Sequence, residues 1–163
     1  MSGVAPSPRS SLALSPHEIR ALRRASRILE KRFATTPHCV LDEPAAVSHY
    51  LRFRFAGMER EEFHALWLTA MNHLIAAECL FVGTVTRTAV YPREIVKQAL
   101  RHNASAVIFA HNHPSGSAVP SKADIALTKA LREALRVVDV SVHDHFVVTE
   151  RETISTEGFA HRR

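Results

Sequence analysis

The chain has 163 residues, 46% of them hydrophobic and 23% charged, a size and balance that allow one globular domain with a real core. Its two cysteines, Cys39 and Cys79, stand forty positions apart and form no C-x-x-C pair, which argues against a cysteine zinc site or a dithiol motif and fits free thiols in a reducing cytoplasm. A net charge of +5 permits contact with polyanions without specifying one, and no apolar run approaches the roughly 18 residues of a spanning helix, so the expectation is a soluble cytoplasmic protein with no membrane role.

Residues 1–14 are rich in Ser, Pro and Gly without periodicity and read as a disordered lead-in. Ser15-Pro16-His17-Glu18 then supplies an N-cap, a proline at the first helical position and a glutamate three residues after the cap, the pattern of a capping box. The helix it opens is expected to run to about Phe33, with Ile19, Leu22, Leu29 and Phe33 on its apolar side. Arg20, Arg23, Arg24, Arg27 and Lys31 line the opposite side, a stripe read either as a solvated face or as a surface for weak, non-specific nucleic-acid binding. A second helix is expected from Pro44 to about Arg54, entered through Asp42.

Glu62 to Ala70 and Leu74 to Val82 read as two strands joined at Met71-Asn72-His73. A short segment through Val90 leads to a helix opened by Tyr91-Pro92-Arg93-Glu94, with Ile95, Val96, Ala99 and Leu100 inward and an end near His102-Asn103. Ala106 to Ala110 is a short apolar run, as expected of a strand buried on both faces. Pro120 to Asp124 opens a helix through about Arg136 with Leu127, Leu131 and Leu135 inward, and a last strand, Asp139 to Thr149, precedes a polar tail. This order predicts an α/β fold with a mixed sheet.

The chemistry lies where the buried run meets His111-Asn112-His113-Pro114-Ser115-Gly116. Residues i and i+2 on a strand share a face, so both imidazoles can address one ion. After seven intervening residues, 114–120, comes Ser121-Lys122-Ala123-Asp124, an S-x-x-D that is also a helix-capping pattern. Hydrolytic zinc takes three protein ligands from His and carboxylate and keeps one position open, and His111, His113 and Asp124 make such a set. A zinc deaminase would instead need H-x-E with P-C-x-x-C, and neither occurs.

His111 to Gly116 followed by Pro120-Ser121-x-x-Asp124 resembles the JAMM metal motif as written in the RadC family of bacterial proteins. The likeness extends over Glu62-Phe63, Gly83-Thr84, Pro92-Arg93-Glu94, Asn103-Ala104 and Asp144-His145, from about residue 59 to the tail. The short form is similar to the RadC-like proteins of prophages and mobile elements; longer relatives carry a helix-hairpin-helix region, and no such repeat is read in residues 1–58. The resemblance implies a JAB/MPN-type mixed sheet flanked by helices, with cytidine-deaminase-like layering, over residues 59–163, preceded by a helical segment over 15–58. It further implies Zn2+ on His111, His113 and Asp124, and a catalytic glutamate on an early strand. Glu61 and Glu62 would face opposite sides of a regular strand, and the family match selects Glu62 as the base that takes the proton of an activated water. Ser121 is expected to donate to the oxyanion.

His143-Asp144-His145 repeats the H-x-H spacing without an S-x-x-D. Asp144 and His145 are read as a pair standing behind the ligands, since metal-bound imidazoles give their other N–H to a neighbour, and His143 as incidental. Thr69-Ala70-Met71-Asn72 and the ending Glu157-Gly158-Phe159-Ala160 depart from the family pattern without touching a proposed ligand. Two functions follow: zinc-dependent hydrolysis of an amide bond in a protein or peptide, or an accessory role in DNA repair or recombination, bound to nucleic acid through the arginine stripe of the first helix, with a structural or vestigial zinc site.

Overall fold

The computed structural model describes residues 14–36, 41, 43–83 and 90–156. The lead-in through residue 13, Cys39, Asp42, the segment 84–89 and the tail 157–163 lie outside the described residues.

Helix α1 (Pro16–Thr35) begins as its sequence dictates: Ser15 Oγ accepts the Glu18 N–H while the Glu18 carboxylate accepts the Ser15 N–H at 2.7 Å. Helix α2 (Pro44–Arg54) has Glu43 at its N-cap, with no side-chain capping bond, and buries Val47, Tyr50 and Leu51. Strands β1 (Glu62–Leu68) and β2 (Leu74–Val82) form an antiparallel hairpin. β1 stops two residues short of the expected Ala70 because Thr69 starts the turn, its Oγ1 accepting the N–H groups of Met71 and His73, while Asn72 supplies a positive φ of 60°. Helix α3 (Pro92–Arg101) is closed by His102 at its C-cap and followed by Asn103, again at positive φ. Ile95 and Ala99 of α3 are buried, but Leu100 is 58% exposed, contrary to expectation. It sits one residue, about 100° of helical rotation, past Ala99 and so turns to solvent.

β3 (Ala106–Asn112) is buried along its whole length and reaches two residues beyond the apolar run. α4 (Lys122–Arg136) buries Leu131 and Leu135, and β4 (Ser141–Val148) lies parallel to β3. A fifth strand, β5 (Thr153–Ser155), absent from the sequence-based order, pairs with β4; its three residues, Thr-Ile-Ser, are too few to show an alternating pattern.

The sheet order is β2-β1-β3-β4-β5, antiparallel except for β3 with β4. Two apolar layers cover it. Leu66, Leu68, Ile108 and Ala110 pack with Phe33, Tyr50, Leu51 and Phe55 of the α1/α2 side. Phe63, Ala65, Trp67, Val107 and Phe109 pack with Ile95, Ala99, Leu131 and Leu135 of the α3/α4 side. The fold is therefore α/β, a mixed five-stranded sheet between helices, with a helical N-terminal segment. Among the described residues no helix is long and apolar enough to cross a membrane.

This layering sets the parity on which the site depends. Odd-numbered residues of β1 and β3 face α3 and α4; even-numbered ones face α1 and α2.

Candidate metal centre

His111, at the C-terminal end of β3, is fully buried and opposes Phe63 of β1, with ring centroids 6.3 Å apart. His113 lies just past the strand, tied to β4 through its N–H to the Val148 carbonyl. Pro114 and Ser115 then turn the chain, and Gly116, at a φ of 84° that disfavours a side chain, closes the turn by donating its N–H to the His113 carbonyl. Ser117 is thereby brought back to the His113 ring. Asp124 arrives from the first turn of α4, where Ser121 caps the helix by accepting the Asp124 N–H and gives its own N–H to Asp124 Oδ2 at 2.7 Å.

The Nε2 atoms of His111 and His113 stand 2.8 Å apart, and each faces Asp124, at 3.4 Å and 3.6 Å from its two oxygens. Hydrogen bookkeeping fixes both rings. Thr128 donates its only hydroxyl hydrogen to the Asp124 carbonyl at 2.7 Å, so toward His145 Nδ1, 2.5 Å away, its oxygen accepts. His145 Nε2 is then bare and accepts the Nδ1–H of His111 at 2.8 Å. The Nδ1–H of His113 likewise goes to the Ser117 carbonyl at 2.7 Å. Both Nε2 atoms are left with lone pairs that point at each other and at a carboxylate, an arrangement that repels itself unless a cation lies within it. The residues fit a metal.

The protonation energetics express the same polarity. Burial alone would push the Asp124 carboxyl up, but a proton on Nε2 can stand in the cation's place, and the hydrogen bonds that His111 and His113 then donate outweigh burial and hold the group well below the usual carboxylate range. For the same reason His113 is raised above its ordinary value, against its partial burial: once Nε2 takes up a proton it donates to Asp124. His145, fully buried, is driven well below the imidazole range by loss of solvent and by the neighbouring His111, so it stays neutral, as its place in the chain of donors requires. Asp144 accepts the His145 N–H at 2.6 Å and the Ser155 hydroxyl at 3.0 Å, while His143, on the exposed side, meets Asn72.

Glu62 is not brought to this cluster, and here the sequence-based expectation is corrected. Its parity points it toward α1 and α2, where Oε2 accepts the Nε2–H of His64 at 2.8 Å. The residue that joins the histidines is Glu61: one of its carboxylate oxygens and ligand nitrogens of His111 and His113 all lie within 4.8 Å of one another. The signal for Glu61 was the alternation itself, but its phase is set by the register Phe63↔His111, which no single sequence displays.

Glu62, His64 and Cys79 also gather three ligand-type atoms within 4.8 Å. This group does not suit a metal, because Arg54 Nε–H, a donor at any physiological pH, points at His64 Nδ1 from 2.9 Å. The neutral ring therefore carries its hydrogen on Nε2 and offers no lone pair there. Burial, reinforced by Glu62, pushes the Cys79 thiol up to about 11, so it stays protonated. The cluster is an anchor: Arg54 also binds Glu30 at 2.6 Å, Tyr50 at 3.2 Å and the Ala77 carbonyl at 3.0 Å, tying α1 and α2 to the hairpin.

Burial, and then the Arg54 charge, lower His64 to about 4. With an unfolded value near 6.5, the unfolded chain takes up this proton first on acidification, so the His64 contribution is intact above pH 6.5 and drains away between about 6.5 and 4. The loss is on the order of 3 kcal/mol. Urea midpoints should thus show the stability gap between wild type and His64→Gln narrowing across that window; a gap independent of pH would contradict it.

This layering, with its polar cluster where β3 meets α4, defines the class as a JAB-type domain. The chain belongs to the family described as RadC-like JAB domain, whose model matches residues 41–161, as the motif resemblance implied. It is 52% identical over 134 residues to the UPF0758 protein Nmul_A2138 of Nitrosospira multiformis, covering 82% of this chain and 59% of that one. It is 47% identical over 142 residues to the UPF0758 protein YkfG of Escherichia coli, covering 87% of this chain and 89% of that one. With YeeS of Escherichia coli the identity is 45% over 142 residues, covering 87% and 95%. The chain thus spans under two thirds of the Nitrosospira relative's length and most of the two Escherichia coli proteins.

Proposed function

We propose that the protein is a zinc-dependent hydrolase of amide bonds, a metallopeptidase or isopeptidase acting on a protein or peptide. The observation that carries this reading is the convergence of two imidazole lone pairs and one ionised carboxylate, with the carboxylate of Glu61 beside them. Zinc held by His111, His113 and Asp124 would polarise the scissile carbonyl and lower the pKa of the attacking water. Glu61 takes that water's proton and hands it to the leaving nitrogen, the role the sequence assigned to Glu62. Ser121 Oγ uses a lone pair for the Asp124 N–H at 3.2 Å, which leaves its hydroxyl hydrogen for the oxyanion. His145 and Thr128 keep the His111 hydrogen on Nδ1 and so keep Nε2 available. Protein loaded with zinc and then dialysed should retain about one ion per chain, the stoichiometry of a three-ligand catalytic site, and should turn over a member of a peptide and isopeptide panel. Retention of no zinc by elemental analysis overturns the reading.

The α1 stripe favours a second reading, contact with nucleic acid by an accessory protein. Arg20, Arg23, Arg24, Arg27 and Lys31 are all exposed and recur at helical spacing. Binding through them would be weak, independent of sequence and steeply salt-dependent, because each phosphate contact releases a counterion. Replacing Arg20, Arg24 and Arg27 by Gln is expected to flatten the slope of log K against log salt by up to about 2.7 for duplex DNA, at about 0.9 per contact. Tight binding to one sequence that survives high salt would contradict this description of the surface.

A further inference from the structure

We infer that Asn112, the residue between the two histidines, is a positioning residue for Glu61: its side-chain amide takes the place of strand backbone and locks the peptide groups on both sides of Glu61. The ladder between β1 and β3 ends at Phe63↔His111. One step further, the Asn112 side chain supplies the next rung. Its Oδ1 accepts the Glu62 N–H at 2.8 Å, and its Nδ2 donates to the Arg60 carbonyl at 2.8 Å. The carbonyl of residue i−1 and the N–H of residue i+1 point to the same side of an extended chain, so this pair of bonds brackets Glu61.

The parity of the sheet makes the division of labour necessary. Asn112 is even and faces away from the metal centre, while His111 and His113 on either side of it face toward the centre. One tripeptide therefore presents two ligand nitrogens on one face and clamps the backbone carrying Glu61 on the other. On its opposite flank Glu61 is held by its own carbonyl, which accepts the Gly83 N–H at 2.8 Å. Asn112 is only 5% exposed, so water cannot readily replace the clamp. The job requires a planar group with one donor and one acceptor at peptide spacing. Aspartate keeps the acceptor but sets an oxygen against the Arg60 carbonyl; leucine keeps neither; glutamine carries the amide one methylene too far.

The inference rests on the proposed role of Glu61 as proton acceptor at the metal, and the test separates the two. Cobalt(II) replaces zinc in the full chain, and cobalt content and visible absorption at one fixed pH are measured for wild type, Glu61→Gln, Asn112→Asp, Asn112→Leu and the double variant Glu61→Gln/Asn112→Asp. Backbone amide exchange at Glu62 is followed on the same proteins. Each is expected to hold about one cobalt, the metal ligands being untouched. Glu61→Gln should alter the visible band, each Asn112 variant should move it the same way by at least half as much, and Asn112→Asp should add nothing once Glu61 is Gln, the non-additivity of groups acting through one another. Glu62 exchange should rise tenfold or more in Asn112→Leu and stay near wild type in Asn112→Asp, which keeps the acceptor.

If Glu61→Gln changes the band while both Asn112 variants leave it at wild type, the positioning role is refuted and the hydrolase reading stands. A shift from Asn112→Asp that is equally large with and without Glu61 refutes it too, since Asn112 would then act on the ligands directly. Failure of Glu61→Gln itself to change the band, or of the wild type to take up cobalt, overturns both. Should Asn112→Leu not fold, the nearly isosteric Asn112→Asp decides the question.

Discussion

His113→Ala is expected to lower zinc affinity by more than about a hundredfold, beyond the ten- to hundredfold typical of losing a group behind a ligand. His113 is the more accessible of the two imidazoles, and its Nε2 closes the triangle with His111 and Asp124. A metal that binds only the folded chain stabilises it in proportion to its affinity, so the rise in melting temperature on zinc addition should nearly vanish in the variant. Two companions separate ligation from architecture. Asp124→Asn retains an oxygen to accept the Ser121 N–H, so the start of α4 survives while the anionic ligand is gone; metal should be lost with little change in the metal-free melting temperature. Thr128→Val cuts the chain that fixes the His111 hydrogen on Nδ1 and should cost only about tenfold in affinity. Zinc titration and paired melting curves decide the matter. A His113→Ala protein with wild-type zinc content and the same thermal gain would show that the ion sits elsewhere.

What the sequence displayed and what it hid divide along the range of the interactions. The capping boxes at Ser15 and Ser121 are contacts between residues three apart, and both formed as read. The convergence of His111 and His113 follows from a period of two within one strand, and it too was legible. Asp124 needed only that the helix after the glycine turn begin where its capping pattern begins. The position of Glu61 needed more: the hairpin had to be placed against β3 in one register, and a slip of one residue would have put Glu62 there instead. Asn112 escaped notice for a different reason. Asn112 stands inside the H-x-H motif, but a side chain that substitutes for backbone leaves no sign of that role in the hydrophobic pattern, and its partners, the Arg60 carbonyl and the Glu62 N–H, have no side-chain identity at all. His64 was hidden in the same way, since its hydrogen is dictated by Arg54, ten residues away on another element.

The register of β1 also yields the sharpest test of the chemistry, because Glu61 and Glu62 are identical side chains on opposite faces of one sheet. Glu61→Gln should leave zinc content and melting temperature close to wild type, since Glu61 is proposed as the proton carrier while His111, His113 and Asp124 hold the ion. Its turnover should fall by roughly a hundredfold or more, the scale of lost general acid–base catalysis. Glu62→Gln keeps an amide oxygen to accept the Nε2–H of His64, so the Arg54 network remains satisfied. It should retain turnover within about threefold of wild type, as expected of a group that makes no contact with reacting atoms. Both variants remove one negative charge at neighbouring positions, so any general electrostatic effect is common to the pair and cancels in their ratio. Turnover of a substrate cleaved by the wild type, with zinc content measured on the same preparations, gives that ratio directly. Equal losses in the two variants would break the assignment, and a larger loss in Glu62→Gln would mean that β1 meets β3 one residue out of the register described, with Phe63 no longer opposite His111.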